Sequence, residues 1–105
     1  MADQPPIDLT PAQLGIVLDI LSRLAPGREV WAFGSRARLD AKPYSDLDLA
    51  ILADTPLTLS ELAALAEAFQ ESALPFKVDV VDWASTAEGF RRVIEAERVV
   101  LAGGE

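Results

Sequence analysis

The pattern of hydrophobic and polar residues along the chain predicts three helices. In each, apolar side chains recur every three or four residues, which is the period of one helix face. Each start has the capping-box pattern, in which a serine or threonine precedes a Glu or Gln by three residues: Thr10 with Gln13, Thr58 with Glu61, and Ser85 with Glu88. Pro26-Gly27 ends the first helix, and the second runs to about Ser72 before Leu74-Pro75.

Short apolar runs between these helices predict β-strands, and polar stretches separate them. The strands are expected at residues 29–33, 47–53 and 76–81, with a short last strand favoured over a longer third helix at 99–101. Residues 35–38 could start a short helix, and residues 40–45 form a polar loop. This order predicts an α/β (α+β) sandwich, in which helices cover a small sheet.

The length of 105 residues fits one domain, and the chain has no linker or internal repeat that would divide it. Pro5 and Pro6 make residues 1–9 a flexible lead-in, so the domain is expected over residues 10–105. Cysteine and histidine are absent, which excludes disulfides, thiolate zinc sites, Cys nucleophiles and Ser-His-Asp triads. The chemistry that remains belongs mostly to carboxylates.

The charge balance limits the partners that the protein can bind. A net charge of −8 repels a nucleic-acid backbone, so we expect no direct binding of DNA or RNA. This charge would suit a basic protein partner, although many domains are this acidic for solubility alone. No stretch has the pattern of a membrane span or a signal peptide, so no membrane association is expected and the cytoplasm is the expected location.

Two aspartates stand two residues apart at the start of the second predicted strand. Asp46 and Asp48 therefore lie on one face of the sheet, about 7 Å apart along the strand. Leu47, Leu49 and Ile51 point the other way, into the core. Two carboxylates on one face repel each other unless a cation lies between them, and oxygen ligands favour Mg²⁺ or Mn²⁺. The alternative is a strand leaving a polar loop, with Asp48 near its hydrated end.

A third aspartate interrupts the apolar third strand. A buried carboxylate without a partner is strongly unfavourable, so Asp79 should face a partner or an ion while Val78 and Val80 face the core. The alternative is an edge-strand aspartate in water. If the third strand neighbours the second, three carboxylates can converge as the ligands of a two-metal phosphoryl-transfer site.

The first predicted strand ends in a glycine and a serine. Gly34 lets the backbone approach a phosphate closely, and the amides of the following turn can bind phosphate oxygens. Ser35 adds a hydroxyl, while Arg36 and Arg38 add positive charge where a triphosphate would need it. By itself, a Gly-Ser pair after a strand is usually only a turn.

The combination of these motifs is far more specific than any one of them. Gly34-Ser35, ten residues and Asp46-Leu47-Asp48 form a GS-x10-DxD pattern, and Asp79 follows on a later strand. The pattern resembles the nucleotidyltransferase superfamily related to DNA polymerase beta, and GSRAR followed by SDLDLAIL resembles its minimal nucleotidyltransferase (MNT) group. Similarity runs over most of residues 15–102, with the distinguishing motifs in residues 33–52 and 77–81.

The resemblance implies a mixed sheet that binds a nucleoside triphosphate with two magnesium ions. Asp46 and Asp48 would bind both ions, and Asp79 would bind the catalytic ion and act as general base. Gly34 and Ser35 would hold the triphosphate of ATP, with Arg36 assisting. The family transfers a nucleoside monophosphate to a hydroxyl and releases pyrophosphate. All three carboxylates are present, so an active enzyme is expected.

The resemblance also implies a partner. Many members of the minimal group are antitoxins that silence a helical HEPN RNase toxin by AMPylating one of its tyrosines. Two alternatives stay open, namely transfer to a small molecule such as an aminoglycoside, and neutralisation of a toxin by binding alone. One departure is visible, because members often have glycine where this chain has Leu39.

Overall fold

The computed structural model describes residues 5–103, which form one four-stranded sheet with helices on both of its faces. The strand order is β3-β2-β1-β4; β1 runs antiparallel to β2 and β4, whereas β2 and β3 are parallel. The small mixed sheet flanked by helices is therefore confirmed. In chain order the elements are α1 (Pro11–Leu24), β1 (Val30–Phe33), β2 (Leu47–Ile51), α2 (Leu59–Gln70), β3 (Val78–Asp82), a 3-10 turn (Trp83–Ser85), α3 (Glu88–Glu97) and β4 (Val99–Ala102).

Two of the three predicted capping boxes start helices. The side chains of Thr10 and Thr58 each accept a hydrogen bond from the third helical amide, and Gln13 and Glu61 bond back. The third prediction, at Ser85, is wrong. That serine lies in the 3-10 turn and donates to Asp82 Oδ2 at 2.9 Å, while α3 begins after Ala87 without a side-chain cap.

The two faces of the sheet pack against different helices. Leu47, Leu49 and Ile51 are fully buried in the cluster that includes the apolar residues of α1 and α2, as the period-two pattern predicts. Val78 and Val80 pack against the same cluster. The opposite face packs against α3 through a smaller cluster of Trp31, Phe33, Ala50 and Ile94. Even-numbered residues of β2, including Asp48, therefore face the α3 side.

The N-terminal lead-in is attached to the domain over part of its length. The Asp8 amide donates to the Arg36 carbonyl at 2.9 Å, and Ile7 and Leu9 pack against the main core. Residues 7–9 thus differ from the flexible segment that the two prolines predict, because a buried arginine holds them. Residues 1–4 lie outside the described residues. No helix within residues 5–103 is long and apolar enough to cross a membrane.

The segment after β1 forms hydrogen-bonded turns instead of the predicted short helix. The Gly34 carbonyl accepts from the amides of Ala37 and Arg38, and the Ser35 carbonyl accepts from the amide of Asp40. Leu39, in the middle of this segment, has a φ of 64° and is 57% exposed. It therefore occupies the left-handed region that a glycine adopts without strain. The departure from the family pattern thus coincides with a conformation that favours glycine.

We expect Leu39→Gly to raise the free energy of unfolding by about 1 kcal/mol, because it relieves a left-handed conformation held by a side chain with little packing to lose. Urea denaturation measures this change. Leu39→Ala is the matched control, since it removes most of the side chain but keeps the Cβ atom that causes the strain. Equal stabilities of the two variants would contradict the explanation.

Candidate active site

The carboxylates of β2 and β3 meet because these strands are parallel and in register. Asp48 is the direct register partner of Asp79, and on its other side it pairs with Phe33 of β1. Asp46 immediately precedes β2. The third strand therefore pairs with the second, which is what the sequence analysis requires for the carboxylates to converge. Asp79 is exposed because β3 is an edge strand, so it lies both in water and beside Asp48.

Asp48 is partly buried among other carboxylates. Its partial burial, followed by the charges of Asp79, Asp46 and Glu97, raises the pKa of Asp48 to about 6, and Arg38 opposes the shift. Both the low-dielectric surroundings and the neighbouring anions thus disfavour its charged form. A bound cation would reverse this effect, because it favours ionised carboxylates.

The carboxylate oxygens of this site suit a hard divalent cation, but they do not lie close enough together to coordinate one. Across residues 5–103, no three His, Cys, Asp or Glu side chains lie close enough together to hold a metal ion. Asp46, Asp48 and Asp79 supply only oxygen ligands, which is the chemistry that Mg²⁺ prefers. An ion would therefore draw these side chains closer together, and their assignment as metal ligands stays a prediction.

The raised pKa of Asp48 leads to a testable dependence of stability on pH. Folded Asp48 binds its proton more tightly than unfolded Asp48, so the contribution of this group to the free energy of unfolding falls as the pH rises from about 4 to about 6. In metal-free protein we expect Asp48→Asn to be more stable than wild type by about 1–2 kcal/mol at neutral pH, after allowance for solvent screening.

Urea denaturation in the presence of a chelator, at about pH 4 and about pH 7.5, measures this difference. The advantage of Asp48→Asn should almost vanish at the lower pH, because wild-type Asp48 is then largely protonated. An advantage of the same size at both pH values, or a loss of stability at neutral pH, would contradict the assignment.

Gly34 is packed directly against the Asp48 carboxylate. Its φ is 83°, and a Cβ atom at this position would overlap Asp48 Oδ2. Only glycine therefore fits between the end of β1 and the carboxylate of β2. This close approach puts the predicted phosphate-binding turn, Gly34 and Ser35, next to the predicted metal ligands.

Arg36, which the sequence analysis expects to assist in holding the triphosphate, lies buried in the structure. It is 5% exposed, and its guanidinium lies 3.8 Å from the ring centroid of Phe76. Its nitrogens donate to the backbone carbonyls of Ser45 at 2.9 Å, Asp8 at 2.8 Å, Pro43 at 3.0 Å and Lys42 at 3.5 Å. These contacts disfavour binding of Arg36 to a triphosphate, because the guanidinium already donates to the loop before β2 and to the N-terminal segment.

Arg38 is the half-exposed arginine beside the carboxylates. Its Nη1 donates to Glu97 Oε2 at 2.9 Å and its Nε to Asp40 Oδ2 at 3.4 Å. The other oxygen of Glu97 accepts from the Gly34 amide at 2.9 Å. The sequence analysis missed Glu97, because nothing in its local pattern distinguishes it from the other charged residues of α3 and it is 63 residues from Gly34.

A cleft of about 590 Å³ opens beside Asp79, between the end of α2 and the start of β3. Its lining is part apolar, with Phe69, Leu74 and Phe76, and part polar, with Gln70 and Lys77. Asp79 is among the residues that line this cleft, and it is exposed to solvent.

Comparison with known sequences gives one family and one close relative. Residues 18–104 match the family described as polymerase beta, nucleotidyltransferase. The chain is 50% identical, over 95 residues, to the probable protein adenylyltransferase MntA of Haemophilus influenzae. This alignment covers 90% of the chain and 83% of the relative.

Comparison with solved structures gives similar folds in toxin–antitoxin complexes. A chain of a toxin–antitoxin crystal structure with AMP-PNP superposes with a TM-score of 0.74 at 26% identity, over 88% of this chain and 74% of the other. A chain from the complex of the tri-AMPylated Shewanella oneidensis HEPN toxin with MNT antitoxin superposes with a TM-score of 0.67 at 25% identity. This match covers 87% of this chain and 70% of the other.

Proposed function

The chain belongs to the polymerase beta nucleotidyltransferase family, and from this membership we propose that it transfers AMP from ATP to a tyrosine hydroxyl of a HEPN-type toxin and acts as the antitoxin. The observation that carries the proposal is the 50% identity to a protein named as a probable protein adenylyltransferase, over nine-tenths of the chain. The similar toxin–antitoxin structures, one with AMP-PNP and one with an AMPylated toxin, support the partner and the nucleotide.

In the proposed reaction, the tyrosine oxygen attacks the α-phosphorus of ATP. A new oxygen–phosphorus bond forms, the bond to the bridging oxygen breaks, and pyrophosphate leaves with that electron pair. Asp79 accepts the tyrosine proton, a role supported by its exposure and by its position beside Asp48. The turn that starts at Gly34 and Ser35 holds the triphosphate. Of the two arginines that follow, the accessible Arg38 contributes the positive charge.

Two magnesium ions complete the proposal, with Asp46, Asp48 and Asp79 as their ligands. When bound, they would neutralise charge on the triphosphate and on the leaving pyrophosphate. The repulsion among carboxylates around Asp48 supports this assignment, because a cation would remove it. Mn²⁺ has the same preference for oxygen ligands and could replace magnesium.

The direct test combines the purified chain, the product of the neighbouring gene, ATP and magnesium. We expect the mass of the partner to rise by whole AMP units, and peptide mapping should place them on a tyrosine. An ATP analogue that cannot be cleaved between the α- and β-phosphates is the control. A tight complex without any mass change would favour an antitoxin that acts by binding alone. Labelling of an aminoglycoside instead of the partner would favour a small-molecule transferase.

A further inference from the structure

Glu97 lies where a carboxylate is electrostatically unfavourable. It is the last residue of α3, where the helix dipole disfavours negative charge, and it adds to the anionic field around Asp48. Its side chain is only 23% exposed. Such a position needs compensation, which comes from hydrogen bonds to the Gly34 amide and to the Arg38 guanidinium, each at 2.9 Å.

These two bonds connect the parts of the turn that matter for a triphosphate. One fixes the amide of a glycine in the left-handed conformation, and the other fixes the long side chain of Arg38. An arginine that is half exposed would otherwise sample several rotamers. Because the pair is partly exposed, its effect on stability should be small, so the main consequence of the contact is the orientation of Arg38.

We propose that Glu97 is a positioning residue for nucleotide transfer, because its carboxylate fixes the turn that starts at Gly34 and aims the Arg38 guanidinium at the incoming triphosphate. The inference rests on the proposed function and names a residue that works through Arg38. Glu97 contacts neither ATP nor the acceptor in this arrangement. A residue that merely stabilised the fold would not act through one arginine.

The test compares Glu97→Ala, Glu97→Gln and the matched control Glu95→Ala, an exposed residue of the same helix. We expect Glu97→Ala to raise the KM for ATP about tenfold, with a smaller fall in kcat. Glu97→Gln should raise the KM for ATP nearly as much as Glu97→Ala, since its amide oxygen can accept from Gly34 but its NH2 group cannot accept from Arg38. Glu95→Ala should behave as wild type. A lower KM in Glu97→Ala would overturn the proposal, because it would mean that Glu97 competes with the triphosphate.

A double-mutant cycle separates positioning from general structural support. In an Arg38→Ala background, Glu97→Ala should change the KM for ATP by much less than tenfold, since only its bond to the Gly34 amide then remains to be lost. An unchanged tenfold effect in that background would overturn the proposal.

Two further measurements do not depend on turnover. The amide resonance of Gly34 should shift in Glu97→Ala but not in Glu95→Ala, and the affinity for ATP, measured by titration calorimetry, should fall in parallel with the KM. An unmoved Gly34 resonance, or an unchanged affinity, would overturn the proposal. If wild type binds ATP but modifies no acceptor, the proposed function fails, while these binding measurements still test Glu97 separately.

Discussion

Asp48→Asn should lower AMP transfer about a thousandfold or more and should leave the fold intact. The carboxylate is the proposed ligand of both metal ions, and an amide cannot supply the same charge to them. Its surroundings make the result unusual, because this substitution also removes a charge whose partial burial and repulsion by neighbouring carboxylates raise the pKa of Asp48. The same substitution should therefore abolish activity and stabilise the metal-free domain, as at sites where function requires local strain.

Mass spectrometry of the partner measures the transfer, and urea denaturation of the same sample measures stability. Asp54→Asn is the matched control, because Asp54 is exposed beyond the opposite end of β2 and its loss removes the same charge. Asp46→Asn should also abolish transfer. Activity of Asp48→Asn or Asp46→Asn within tenfold of wild type would contradict the assignment of the metal ligands.

Arg36→Ala should lower the free energy of unfolding by about 3 kcal/mol or more. Truncation removes hydrogen bonds from a charged donor to several backbone carbonyls and empties the space over Phe76. Arg36→Lys should recover little, because one ammonium cannot replace a planar fork that reaches Ser45, Asp8 and Pro43 together. Equilibrium denaturation measures both variants.

Arg38→Ala provides the contrast, with a change in stability below about 1 kcal/mol and a higher KM for ATP. If Arg36→Lys instead folds with wild-type stability and raises the KM for ATP, the original prediction of Arg36 as a phosphate ligand is restored. The two arginines of the GSRAR motif are thus separable by experiment, one by stability and the other by nucleotide binding.

Much of the fold could be predicted because its signals are local. The capping boxes at Thr10 and Thr58 and the alternation of Leu47, Leu49 and Ile51 each require only neighbouring residues, and all are confirmed. The capping box at Ser85 failed because the chain there forms a 3-10 turn, in which the serine hydroxyl donates to Asp82, and α3 begins only after Ala87. Short polar side chains have several such local partners, so the pattern alone does not select one.

The part of the site that depends on the alternation of side chains along a strand could be predicted. Strand periodicity placed Asp46 and Asp48 on one face, whereas the approach of Asp79 depended on the third strand pairing with the second, which only the structure shows. The family match confirms the reaction class that GSRAR and SDLDLAIL indicated. The contacts of Arg36 and Glu97 could not be predicted. The partners of Arg36 are carbonyl oxygens, which every residue has, and the contact of Glu97 with the turn depends on long-range packing.

The distance along the chain between Glu97 and Gly34 has a consequence for folding. Their separation of 63 residues means that the Gly34 amide gains its acceptor only after α3 has formed and docked on the sheet. A chain still being synthesised, with α3 and β4 not yet available, could pair β2 with β3 but would lack the acceptor for the Gly34 amide. Protection of this one amide from hydrogen exchange would therefore report when α3 has docked, because its acceptor lies on that helix.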